Sequence, residues 1–182
     1  MTLHACGRLG LTVVLTGAAY LLLFIGNEHL LSFTRFADGV NWIYLPSGLR
    51  MTLVLVFGAP AALGIAWASV LLATGPLGWT DWVQALVTGG ISGGAPLLAL
   101  AVCRRVLSVQ ADLSGLQSRT LLMMAVIFAI ISAAMHQAWY GWNHPAPDRA
   151  LQFAVMALGD LAGTVLLLYA GGWVLKKVAP GL

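Results

Sequence analysis

Residues 42–73 read WIYLPSGLRMTLVLVFGAPAALGIAWASVLLA, and the path of this stretch decides the fold. It opens on two aromatics, Trp42 and Tyr44, and then Pro46, a residue suited to a first helical turn because its missing N–H is not needed there. Arg50 stands inside the apolar run that follows, and Gly58 and Pro60 interrupt that run near its middle. Two pieces result, 46–57 and 60–73. The first, as a helix, rises only about 18 Å, short of the roughly 20 residues that a hydrocarbon core takes. The stretch is therefore predicted to be a short hairpin turned at Gly58-Ala59-Pro60, formed by two short spans or by a re-entrant pair shielded by the rest of the chain.

A single helix kinked at Pro60 is the competing reading, and positive charge separates the two. With the hairpin, Arg8, Arg104, Arg105, Arg119, Lys176 and Lys177 fall on one side, and Arg35 and Arg149 on the other. Basic loops face the cytoplasm, so both termini are expected on the inner side. A single kinked helix would scatter those clusters over both sides.

Composition agrees with a lipid environment. Of 182 residues, 60% are hydrophobic and 8% charged, whereas soluble domains carry about 25% charged residues. The length fits one integral membrane domain, 1–182, with no room for an appended soluble output module. Nine basic and six acidic residues give a formal charge of +3, spread along the chain. No nucleic-acid partner is expected, because that needs a clustered basic face in water. Cys6 and Cys103 form no paired motif and read as free thiols.

The fold class expected is thus an all-α polytopic bundle of about six membrane segments. Segment one, 9–26, is longer than a signal-peptide core and reads as an uncleaved span. A polar connection, 27–41, leads to the hairpin, and 75–81 forms a short outer turn. Segment four, 82–102, contains Gly89, Gly90, Gly93 and Gly94 followed by Pro96. Small residues of this kind let helices approach closely in lipid. A hydrophilic inner loop, 104–119, precedes segment five, 120–138. An outer loop, 143–149, precedes segment six, 150–175, which Lys176 and Lys177 cap.

Polar residues inside these segments are the candidates for function, since a charge in the membrane is costly and needs a partner or a cavity. Asp160 lies about 15 Å deep in segment six by helical rise, flanked by Gly159 and Gly163 at a spacing that admits another helix. Arg50 enters from the outer face and can reach it. An Arg50–Asp160 pair reads as an ion pair fixing helix register or as the floor of a site for a ligand or ion; the remaining alternative is that Arg50 snorkels to the surface. His136 stands near the outer end of segment five, with His29 and His144 in outer connections. Their spacing fits no metal motif, so no metal site is expected. Trp42, Tyr44, Trp139 and Trp142 read either as part of an interfacial aromatic belt, with Trp79, Trp82 and Tyr140, or as the roof of an outward-facing pocket over Arg50. Serines lack a histidine at a motif spacing and carboxylates are unpaired, so catalysis is not expected.

Two passages resemble a known family. LPSGLRMTLVLVFGAPAALGIAWAS (45–69) and ALGDLAGTVLLLY (157–169) are similar to the proline–x–glycine helix with its Gly/Pro turn and to the late Gly-Asp helix of the type-one membrane-associated sensor (MASE) domain. Pro46, Gly48, Gly159 and Asp160 are the matching positions; Arg50 replaces a residue usually apolar in that family. The resemblance implies an integral membrane module that perceives a signal and, here, acts through a membrane partner such as a kinase, a transporter or a larger complex. The sequence thus points to a sensor-like module that binds a small ligand or a partner through Arg50, Asp160, His136 and the aromatics. Two rival expectations are the substrate-binding subunit of an energy-coupling-factor-like vitamin or metal uptake transporter, and a structural subunit of a membrane complex.

Overall fold

Gly58 breaks the 42–73 stretch in two in the computed structural model, which describes residues 3–74, 81–110, 112–114, 116–143 and 147–178. Helix α2, Leu45–Phe57, starts with Pro46 in its first turn and stops where Gly58 adopts φ 64° and ψ −138°. An L side chain rarely adopts that conformation. The Gly58 N–H closes α2 on the Val54 carbonyl at 2.9 Å, and its carbonyl accepts the Ala62 N–H at 3.2 Å. One residue therefore ends α2 and begins α3, Ala59–Thr74.

Four longer helices complete the chain: α1, Leu3–Leu30; α4, Trp82–Val106; α5, Ser118–Asn143; and α6, Arg149–Val178. The fold is all-helical, and these four carry stretches long and apolar enough to cross a membrane, Gly7–Leu30, Trp82–Val106, Ser118–Trp142 and Arg149–Val178. Helices α2 and α3 are shorter apolar helices. The protein is a membrane protein by this measure. The predicted outer turn with Trp79 and the position of His144 lie outside the described residues, as does the Cys6 side chain.

Close backbone contact joins the helices where the side chains are smallest. A Cβ on Gly17 of α1 would come within 2.9 Å of the Gly64 carbonyl of α3. On α4, a Cβ at Gly89 would meet the Ala66 carbonyl at 2.8 Å, and Gly93 lies against Ala62 and Ala66. Gly90 and Gly94 have open space where a Cβ would stand. Half of the α4 glycine cluster is thus a contact surface with α3, as small-residue packing in lipid requires, and half is not. Pro96 is buried inside an unbroken α4. Asp81 caps the start of that helix, its side chain accepting the Val83 N–H at 2.8 Å.

The connection predicted as a polar loop over 27–41 holds more structure than that. Helix α1 runs on to Leu30, a short 3₁₀ turn follows at Ser32–Thr34, and a two-stranded ribbon pairs β1, Arg35–Ala37, with β2, Val40–Asn41. Gly39, at φ 72°, makes the turn. Val40 is 1% exposed and packs with Ala133, Val155 and Met156, which fixes the ribbon over α5 and α6. Arg35 and Glu28 form an ion pair on its outer side. A second apolar cluster, including Tyr20, Met51, Val54, Ile65, Ala125 and Phe128, fills the bundle interior.

Candidate functional site

Arg50 lies in the second turn of α2, where a side chain four residues after Pro46 points inward between α5 and α6. Its guanidinium stands between two rings, 5.6 Å from the centroid of Tyr44 and 5.4 Å from that of Phe128. Both distances fall within the roughly 6 Å over which a ring face attracts a cation. One terminal nitrogen, Nη2, donates to Ser132 Oγ at 3.2 Å and faces both carboxylate oxygens of Asp160 at 3.5 Å. Charge-assisted N–H···O contacts are normally about 2.7–2.9 Å, so this pair is loosely made. Arg50 Nε is buried with no hydrogen-bond partner among the described residues. Arg50 and Asp160 are each 1% exposed.

Around the pair, α2 and its lead-in are tied to α6 through backbone. The Tyr44 N–H donates to the Gly159 carbonyl at 3.1 Å. A Cβ at Gly159 or at Gly163 would collide with the carbonyl of Asn41 or of Tyr44. These glycines were expected to admit a helix; they admit extended backbone at 41–45, and only then the Gly48 face of α2, which approaches Thr164 and Leu167. The Ser47 hydroxyl is 2.7 Å from the carbonyls of both Tyr44 and Asp160, and Thr164 Oγ1 donates to that same Asp160 carbonyl at 2.7 Å. On the α1 side, the Leu45 N–H donates to Asn27 Oδ1 at 3.0 Å. The hydroxyls of Tyr44 and Tyr20 lie 3.1 Å apart.

Helix α5 supplies a column of four residues at four-residue spacing: Phe128, Ser132, His136 and Tyr140. His136 is 3% exposed, its Nδ1 stands 2.8 Å from the Ser132 carbonyl, and its ring is 5.9 Å from that of Tyr140. The imidazole is thus one turn from the guanidinium and held by its own helix. No group of three or more metal-ligating side chains occurs among the described residues.

The expected aromatic roof takes a different form. Tyr44 does lie against Arg50. Trp42, however, is 46% exposed and packs edge-on against Phe36 of the ribbon at 6.1 Å. Trp142 is 85% exposed, because two residues of helix turn it about 200° away from the inward Tyr140. Trp139 is half-buried. Among the described residues the pair itself is sealed from the surface, Arg50 and Asp160 both being buried. The two grooves that stand out lie elsewhere, one of about 150 Å³ between α1 and α2, lined by Thr12, Leu15, Thr16, Leu53 and Phe57, and one along α6. The interior closes directly over Arg50 and Asp160.

Sequence reasoning missed Ser132 and Phe128 as partners of Arg50, although the four-residue stripe on α5 was there to be read. Tyr20, Ser47 and Thr164 gave no such signal, since their partners come from distant helices.

Comparison with protein-family models, with curated proteins and with solved structures finds no match for this chain.

Proposed function

We propose that the protein is a sensor-like membrane module whose Arg50–Asp160 junction opens to a small ligand or to a membrane partner. The observation that carries this reading is the under-coordinated guanidinium. A charge buried to 1% exposure keeps an unpartnered Nε and contacts of 3.5 Å to its carboxylate. A cation so placed has donor capacity left for a better acceptor, and exchange of partners would loosen α2 from α5 and α6 together. Both halves of the junction fall in the passages that resemble the type-one MASE domain, Arg50 in 45–69 and Asp160 in 157–169.

The setting proposed is a bacterial inner membrane crossed by six segments, α2 and α3 forming a short hairpin, with both termini in the cytoplasm. The contacts along α1 support the reversal: Leu45 meets Asn27, Leu53 and Phe57 lie beside Thr12, and Gly64 has come back to Gly17. So does the basic character of one end, with Arg104, Arg105, Lys176 and Lys177 closing α4 and α6. A second reading, a structural subunit of a membrane complex, is favoured by the closed interior, in which the ion pair would only fix helix register.

Thiol accessibility tests whether the junction can open. In a chain carrying Cys6→Ala and Cys103→Ala, Ser132→Cys is expected to react slowly with a membrane-impermeant sulfonate reagent, and at least tenfold faster when Asp160→Asn is added. Complete protection of Ser132→Cys in both backgrounds, with Trp142→Cys fully labelled as the exposed control, would leave only the structural reading.

A further inference from the structure

The last turns of α6 carry a groove remote from the Arg50 junction. Leu168, Tyr169, Gly172, Trp173 and Lys176 line it, with a volume of about 290 Å³. That is near the lower end of ligand-pocket sizes, about 300–1,000 Å³, enough for a headgroup and its first methylenes. Its walls come from one face of one helix, at spacings of three and four residues. Gly172 forms the notch: beyond its chain neighbours and the backbone of its own helix, nothing lies within 4 Å of where its Cβ would be. Tyr169 and Trp173 flank it, 76% and 54% exposed. Above it the charge is uncompensated: the ion pairs among the described residues are Arg35–Glu28 and Arg50–Asp160, and neither involves Lys176 or Lys177. Lys177 Nζ sits 4.0 Å over the Trp173 ring. That contact places Lys177 on the flank, while Lys176 is the cation lining the groove.

We infer that this groove seats an anionic phospholipid, its phosphate against Lys176 and its glycerol and first methylenes on the Gly172 notch beside Leu168 and Tyr169. The depth is right. The groove sits where the apolar run of α6 gives way to lysine, the level at which Trp and Tyr prefer the headgroup boundary and Lys reaches toward it. The charge is right as well, since a basic residue at this level attracts anionic lipid by about fivefold. A bare surface lysine would supply that attraction with no dependence on the notch, and this is what the test exploits.

Native mass spectrometry of the full chain, released from nanodiscs containing equal phosphatidylglycerol and phosphatidylcholine, reads retained lipid directly. Wild type is expected to retain phosphatidylglycerol at least fivefold over phosphatidylcholine. Lys176→Gln should abolish the preference. Gly172→Leu, which fills the notch and keeps both lysines, should cut retained phosphatidylglycerol at least fivefold. Equal retention of the two lipids by wild type, or unchanged retention by Gly172→Leu, would overturn the proposal. Competition by millimolar soluble glycerol phosphate would equally overturn it, in favour of a free-phosphate site. Lys176 is exposed and a side chain at Gly172 would enter open space, and helicity by circular dichroism confirms that each variant is folded.

Discussion

Removing one member of the Arg50–Asp160 pair should be far worse than removing both. At 3.5 Å and an effective dielectric of about 20, two unit charges attract by about 5 kcal/mol. Each group has given up hydration to be 1% exposed, so most of that attraction only offsets desolvation. Asp160→Leu leaves a guanidinium between two rings with Ser132 as its remaining hydrogen-bond partner. An uncompensated buried charge costs about 3–5 kcal/mol, and Arg50→Met should cost a similar amount by stranding the carboxylate. The double variant replaces the pair with apolar side chains of comparable length. It should therefore unfold within about 1 kcal/mol of wild type, giving a coupling of at least about 5 kcal/mol, well above the usual scatter of about 0.5 kcal/mol. Reversible unfolding in bicelles, read by steric trapping, supplies all four free energies. Single variants costing under about 1 kcal/mol each, or a double variant equal to their sum, would refute the reasoning and place both charges in contact with water.

Two further outcomes test the packing around the junction. Gly163→Val drives a branched side chain into the Tyr44 carbonyl and should destabilise by about 1–3 kcal/mol or more, while Gly90→Ala, facing open space, should be neutral or stabilising by up to about 1 kcal/mol; the same unfolding assay should separate them, and equal effects would deny the close approach of the 41–45 backbone to α6. Asn27→Leu removes the acceptor for the Leu45 N–H and should cost about 1–3 kcal/mol, together with faster hydrogen exchange at the Leu45 amide; an unchanged exchange rate would show that this bond is not what anchors the start of α2.

Membrane residence, the positions of the apolar helices and the break at Gly58 were all legible from residues 42–73 and their neighbours. These properties are local: insertion free energy sums over a run of about 20 residues, and a glycine or proline punctuates backbone wherever it stands. Arg50 and Asp160 announced themselves for the same reason, each being a charge in an apolar run that had to find a partner. The ribbon at 35–41 was not legible, because two- and three-residue strands carry too little alternation to stand out, and Val40 finds its burial only against α5 and α6.

Tertiary structure alone decided which residues meet. Asp160 follows Arg50 by 110 residues and Ser132 by 28, and only helix rotation at about 100° per residue turns Ser132 and His136 inward and Trp142 out. The same rotation divides the α4 glycines into a packed pair and an open pair. Whether the polar centre is an open pocket or a closed junction likewise depends on how tightly 41–45 and Gly48 lie on Gly159 and Gly163. That fit is a property of three-dimensional packing, in which each contact depends on the position of every neighbouring helix, and no stretch of chain encodes it locally.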